Sequence, residues 1–175
     1  LIGYPARVTS RFRTLYAQRP TKSGETERAL SEDHALILME MPNGALGTVE
    51  ASKIATGTND EFTLELRGTN GALKWNAMDP NYVYYYDQTL PERPLGGLRG
   101  FTQIESVQRY PAPGGSFLPP KNAIGWDRGH LHCYFTFLNA IAHGETPENS
   151  VFDGARLQKL LETIREADGK WMEVD

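Results

Sequence analysis

Apart from one short closing segment, strand-like periodicity in this chain lies before Gln108 and helical periodicity lies after Arg128. Strands first and helices last, with tight turns between the strands, favour neighbouring antiparallel strands over βαβ crossovers. The expected fold is therefore α+β, a largely antiparallel open sheet with helices packed on one face. In residues 6–16, Val8, Phe12 and Tyr16 fall at even positions and Arg7, Arg11 and Arg13 at odd ones, the mark of a half-buried strand. Residues 19–33 have no apolar period and read as an exposed loop. Residues 34–41 carry Ala35, Leu36, Ile37, Leu38 and Met39 in succession, which suits a strand covered on both faces. Pro42-Asn43-Gly44 then turns the chain, its Asn-Gly pair supplying the positive φ that a two-residue hairpin requires, into an antiparallel partner over 46–54. Phe62, Leu64 and Leu66 alternate with Glu61, Thr63, Glu65 and Arg67, and Gly68-Thr69-Asn70-Gly71 leads into a strand over 72–76. Residues 81–87 and 101–108 complete the sheet. Proline and glycine make most of 90–120 irregular. Leu131, Tyr134, Phe135, Leu138, Ile141 and Ala142 form one helical stripe that stops at His143-Gly144. Leu157, Leu160, Leu161, Ile164 and Ala167 form another, with Ser150 or Asp153 as its cap and Gly169 as its stop. Residues 171–174 are the closing strand.

Composition removes several functions. The 175 residues suit a single domain with a real core, and no apolar run approaches the ~18 residues of a membrane helix. A net charge of -4 supplies no bulk positive field for phosphate backbones, so nucleic acid is not an expected partner. The single cysteine, Cys133, cannot form an internal disulfide, and with no signal-like start the expected location is a reducing cytoplasm. The chain opens at Leu1 without an initiator Met, and is expected to be a fragment of a longer protein.

Individual residues give weak chemical signals. His130 and His132, two apart on a helix, point roughly 200° from each other and cannot share one ion, so no metal site is expected. His132, Thr136, Asn139 and His143 form a polar stripe that either lines a cleft or faces solvent. Cys133 lies beside the apolar stripe, a poor setting for a thiolate nucleophile. No Gly-x-Ser-x-Gly string marks a hydrolase serine, and Gly96-Gly97-Leu98-Arg99-Gly100 lacks the spacing of a phosphate-binding loop. Tyr82, Tyr84, Tyr85 and Tyr86, with Trp75 and Tyr110, serve either sheet packing or stacking on a carbohydrate or partner. Arg7, Arg11 and Arg13 read as a solvated or cross-strand paired face. Thr56-Gly57-Thr58-Asn59-Asp60, between two central strands, is either a solvated hairpin turn or a polar, glycine-containing loop that offers Asn59 and Asp60 to hydroxyl groups.

Asn43-Gly44-Ala45-Leu46-Gly47-Thr48-Val49-Glu50-Ala51-Ser52-Lys53-Ile54-Ala55-Thr56-Gly57, followed by Glu65-Leu66-Arg67-Gly68-Thr69-Asn70-Gly71-Ala72-Leu73, resembles the C-terminal domain of the Gfo/Idh/MocA oxidoreductases. Ile124-Gly125-Trp126, Thr136-Phe137-Leu138-Asn139-Ala140-Ile141, Phe152-Asp153-Gly154 and Gly169-Lys170-Trp171-Met172-Glu173-Val174 follow in the family order, and Leu1-Ile2-Gly3-Tyr4-Pro5-Ala6-Arg7-Val8 matches its first strand. Lys53 stands where many relatives have Arg, and Thr136 where many have Asp, which leaves the substrate open. The resemblance implies that residues 1–175 are one C-terminal domain, for substrate binding and oligomerisation. The N-terminal Rossmann domain, with its lysine and Asp/His catalytic pair, would precede Leu1. No catalytic or cofactor-binding residue is then expected here, and NAD or NADP would serve the parent enzyme. The implied substrate is a sugar, polyol or related hydroxyl compound. Expected contacts are Lys53, Asn59 and Asp60 at one loop and Arg128 and His132 at a helix start. Lys53 would either reach the cleft or pair with Glu50 or Glu65. The open sheet face would form a homo-oligomer. The other reading is a non-catalytic, sheet-based binding or assembly module, which an upstream Gly-x-Gly-x-x-Gly strand-turn-helix would exclude.

Overall fold

In a computed structural model describing residues 3–94, 97–119 and 121–174, the strands in chain order are β1 (Arg7–Arg13), β2 (Gln18–Pro20), β3 (Thr26–Arg28), β4 (His34–Glu40), β5 (Leu46–Ser52), β6 (Thr63–Arg67), β7 (Gly71–Asn76), β8 (Tyr82–Asp87), β9 (Phe101–Glu105) and β10 (Met172–Glu173). The helices are α1 (Trp126–His143) and α2 (Val151–Glu166), with short 3-10 turns at Val107–Arg109 and Gly114–Ser116. Leu1, Ile2, Gly96 and Pro120, which entered the strings and loops above, lie outside the described residues. The fold is α+β, and every strand ladder is antiparallel. The chain forms two units, Leu1–Thr56 with Asn149–Asp175, and Gly57–Glu148.

In the first unit the ladder order is β10-β1-β4-β5. Val8 on β1 is fully buried and packs with Ile164 and Ala167 at the end of α2, beside Phe12, Ile37, Met39, Leu160 and Met172. Burying the Val8 side chain stabilises by about 2 kcal/mol. Ser10, also on this face, donates to the Ile164 carbonyl, which fixes α2 against β1. Among the described residues of this unit, α2 covers this face. Leu36 and Leu38 on β4 remain half exposed, so the expectation that residues 34–41 are covered on both faces is not met. The uninterrupted apolar run fills one face with Ala35, Ile37 and Met39 and leaves two leucines on the other. There Arg7 pairs with Glu40 at 2.6 Å and Arg11 with Asp168 at 3.1 Å.

Two local readings change. The turn after β4 holds Pro42, Asn43 and Gly44, with Gly44 at φ +82° and the Met41 N–H donating to Ala45 O, a three-residue connection that needs one left-handed residue. The polar stretch over 19–33 is not wholly irregular, because β2 and β3 pair through Gln18↔Arg28, Arg19↔Glu27 and Pro20↔Thr26. With no apolar alternation, this small hairpin leaves no periodic signature. Its base is tied by buried Asp33, which accepts from the Leu15 and Tyr16 N–H groups and the Arg19 guanidinium.

The second unit carries the ladder β6-β7-β8-β9. Its register places Leu64 opposite Trp75, Leu66 opposite Leu73 and Val83 opposite Ile104 on one face. Glu65 opposes Lys74, and Tyr86 opposes Phe101, on the other. Alternation thus separates Tyr85 from Tyr82, Tyr84 and Tyr86. The final turn of the expected 101–108 strand is the 3-10 turn at Val107–Arg109 instead. No helix among the described residues is long and apolar enough to cross a membrane.

Candidate functional site

Helix α1 begins after Gly125, whose extended backbone (φ -95°, ψ 169°) carries no side chain to cap the first N–H groups, and it ends at Gly144 in the left-handed region. Arg128, in the first turn, is 2 % exposed. Its Nη2 reaches the Asn122 carbonyl at 3.5 Å, and its guanidinium lies 5.7 Å from the centre of the Tyr110 ring. Nε is buried with no hydrogen-bond partner, and no carboxylate among the described residues lies within ion-pair distance of the group.

One turn along, the His132 ring sits 5.6 Å from Tyr110 and 6.0 Å from Phe117. The chain passes close because residue 114 is glycine. A β-carbon on Gly114 would fall 2.7 Å from His132 Nδ1, closer than such contacts allow. Phe117 also meets Phe135 at 5.9 Å, and His130 packs against Trp126 at 4.8 Å. A cation, an imidazole and aromatic rings therefore converge on the first half of α1, a surface that can stack on a sugar face and donate to its oxygens.

The other sequence-derived candidates lie on other elements. Lys53 follows β5 in the first unit and is exposed; its backbone N–H donates to Asp33 O at 2.8 Å. It pairs with neither expected carboxylate. Glu50 lies 3.2 Å from His34 Nε2, outside hydrogen-bond alignment, and Glu65 holds Arg67 at 2.7 Å and Lys74 at 3.3 Å. Those closer cations pull Glu65 below the usual carboxylate range, Arg67 first and Lys74 second. Asn59 and Asp60 are exposed on the connection from β5 to β6. That connection is not a hairpin between central strands: β5 pairs with β4, β6 with β7, and each ends its own ladder. Arg128 and His132 are thus the two candidates placed together. Tyr110 was visible only as one aromatic among several. Gly114, Phe117 and Asn122 had no local signal, since irregular chain meets a helix through contacts no period encodes.

Cys133 is exposed, and no group of three His, Cys, Asp or Glu among the described residues could hold a metal ion. The described ladders are antiparallel, and the α2 N-terminus is filled by its own capping box of Ser150 and Asp153. A shallow cleft in the first unit, lined by Tyr4, Pro42, Arg156 and Glu173 among others, contains none of the candidates.

Residues 1–174 match the model of an oxidoreductase family's C-terminal alpha/beta domain. Levoglucosan dehydrogenase of Pseudarthrobacter phenanthrenivorans is 25 % identical over 191 residues, covering 99 % of this chain and 47 % of that protein. A structure of levoglucosan dehydrogenase with NADH and L-sorbose superimposes with a TM-score of 0.88 at 25 % identity, over 100 % of this chain and 47 % of the other. An oxidoreductase domain protein from Kribbella flavida gives 0.85 at 28 % identity, over 98 % and 44 %. The chain therefore spans about half the length of the relatives it matches. With an α+β fold and a match along nearly its whole length, this chain belongs to the Gfo/Idh/MocA oxidoreductase family, as its C-terminal α/β domain.

Proposed function

We propose that this domain forms the substrate-binding wall of an NAD(P)-dependent oxidoreductase acting on a sugar, polyol or related hydroxyl compound, with the nicotinamide cofactor held outside these residues. The observation that carries the reading is the buried Arg128 beside His132, Tyr110 and Phe117 at the start of α1. Relatives in complex with NADH, and with NADH and L-sorbose, support the same chemistry. Lys53, Asn59 and Asp60 enter the proposal as outer contacts, weakened by solvent. Oligomerisation belongs to it too, through the outer face of the first sheet, where Leu36 and Leu38 are half exposed and Leu46 is 79 % exposed. The reducing cytoplasm suits an exposed, unpaired Cys133.

The test is steady-state kinetics of the longer protein on a panel of sugars and polyols. A buried donor lost from a polar contact typically costs 1–3 kcal/mol, so His132→Ala and Arg128→Gln lower kcat/KM by about tenfold to a hundredfold. Asn59→Ala and Asp60→Ala lower it by about threefold at most. Parental kinetics in both helix variants would remove the substrate wall from α1.

A further inference from the structure

The geometry points to an anion-binding site at the N-terminus of α1, formed by the uncapped backbone after Gly125 and the Arg128 guanidinium, which takes the carboxylate or phosphate of an acidic sugar or polyol. This inference rests on α1 being the substrate wall and narrows that reading to one substrate class.

Two independent features meet there. The first N–H groups of any helix have no internal acceptor and lie at the positive end of its dipole. In α2, Ser150 and Asp153 satisfy them from within the chain, whereas Gly125 brings no side chain to α1, where the Arg128 N–H bonds the Gly125 carbonyl at 3.2 Å and the N–H groups of Trp126 and Asp127 lie ahead of it. The second feature is Arg128 itself. Arg128 is 2 % exposed, its Nε is buried without an acceptor, its Nη2 makes one long contact to Asn122, the Tyr110 ring centre lies 5.7 Å from the guanidinium, and no carboxylate among the described residues pairs with its charge. Asn122 lies just before the helix, so the guanidinium reaches back toward the same end as the free N–H groups. An anion seated there meets both at once. Gly125, Trp126 and Asp127 are exposed, which leaves the end open to solvent. Asp127 shares the first turn but makes no ion pair with Arg128.

Calorimetric titration of the longer protein with D-glucose, D-glucuronate and D-glucose 6-phosphate reads the charge preference directly. At least one acidic probe should bind about tenfold or more tightly than glucose, with an advantage that shrinks as salt rises. The two probes separate carboxylate from phosphate recognition. Gly125→Asp places a carboxylate at the cap, where an added β-carbon meets nothing within 4 Å. This variant should raise Tm and erase the acidic preference, Arg128→Gln should erase it as well, and Arg128→Lys should restore part of it. Equal binding of all three probes, or an acidic preference that survives Gly125→Asp, overturns the anion site. If His132→Ala still lowers kcat/KM on a neutral sugar in that case, the substrate wall stands without it. If no α1 variant alters binding or turnover of any sugar, the wall reading fails too.

Discussion

Asp33 shows how one buried carboxylate can hold a long polar excursion of chain. The Tyr16 N–H lowers its pKa most, against the opposing effect of burial, with the Leu15 N–H and the Arg19 and Lys53 charges acting in the same direction. Its folded value is thus below the ordinary 3.8, so the stability it contributes is complete above that value and is lost as pH falls through the folded pKa. Urea midpoints measured between about pH 5 and pH 2 should therefore fall less steeply for Asp33→Asn than for the parent, with the variant already weaker at neutral pH. A variant with the parental slope would remove Asp33 from this role. Val8 is a simpler case. It is fully buried against α2, so Val8→Ala should cost about 2 kcal/mol in chemical denaturation, close to the transfer and cavity cost of two methyl groups. Alternation alone identifies Val8 as a core residue. Nothing local identifies Asp33, because two of its partners are backbone groups at Leu15 and Tyr16 that any residue type supplies and the third, Arg19, lies fourteen residues away.

Among the elements, the helix ends were most readable because capping is local chemistry. Ser150 accepts from the Asp153 N–H at 3.3 Å while Asp153 accepts from the Ser150 N–H at 2.9 Å, so the two sequence candidates for the α2 cap act together. Ser150→Ala should cost about 1 kcal/mol of stability by thermal or urea unfolding, and an unchanged midpoint would show that the box contributes nothing. Strand positions were legible from alternation at β1, β4 and β6. Their partners were not, since a period of two specifies which residues share a face but not which ladder they join. This is why residues 56–60 read as a hairpin between central strands, while β5 and β6 each end a separate ladder. The candidate site was half legible for a related reason. Arg128 and His132 lie on a regular helix, whereas Tyr110, Gly114 and Phe117 reach it from irregular chain at distances no periodic pattern records.

At the scale of the whole molecule, the outer face of the first sheet sets the proposed assembly. Leu36→Lys combined with Leu38→Lys should yield a monomer in light scattering, with α1 kinetics unchanged, if that face joins two copies. A parental oligomer in the double variant would place the contact elsewhere. The division of the chain has a further consequence for its birth on the ribosome. The first unit opens with residues 3–56 but is finished by Asn149–Asp175, so within these residues its first strand waits for its closing helix. Val8 stays uncovered until Ile164 and Ala167 leave the exit tunnel, while every strand of the intervening unit is already available to pair. A released chain truncated between residues 149 and 160 should therefore keep a protease-resistant segment over 57–148 and a protease-sensitive segment over 3–56.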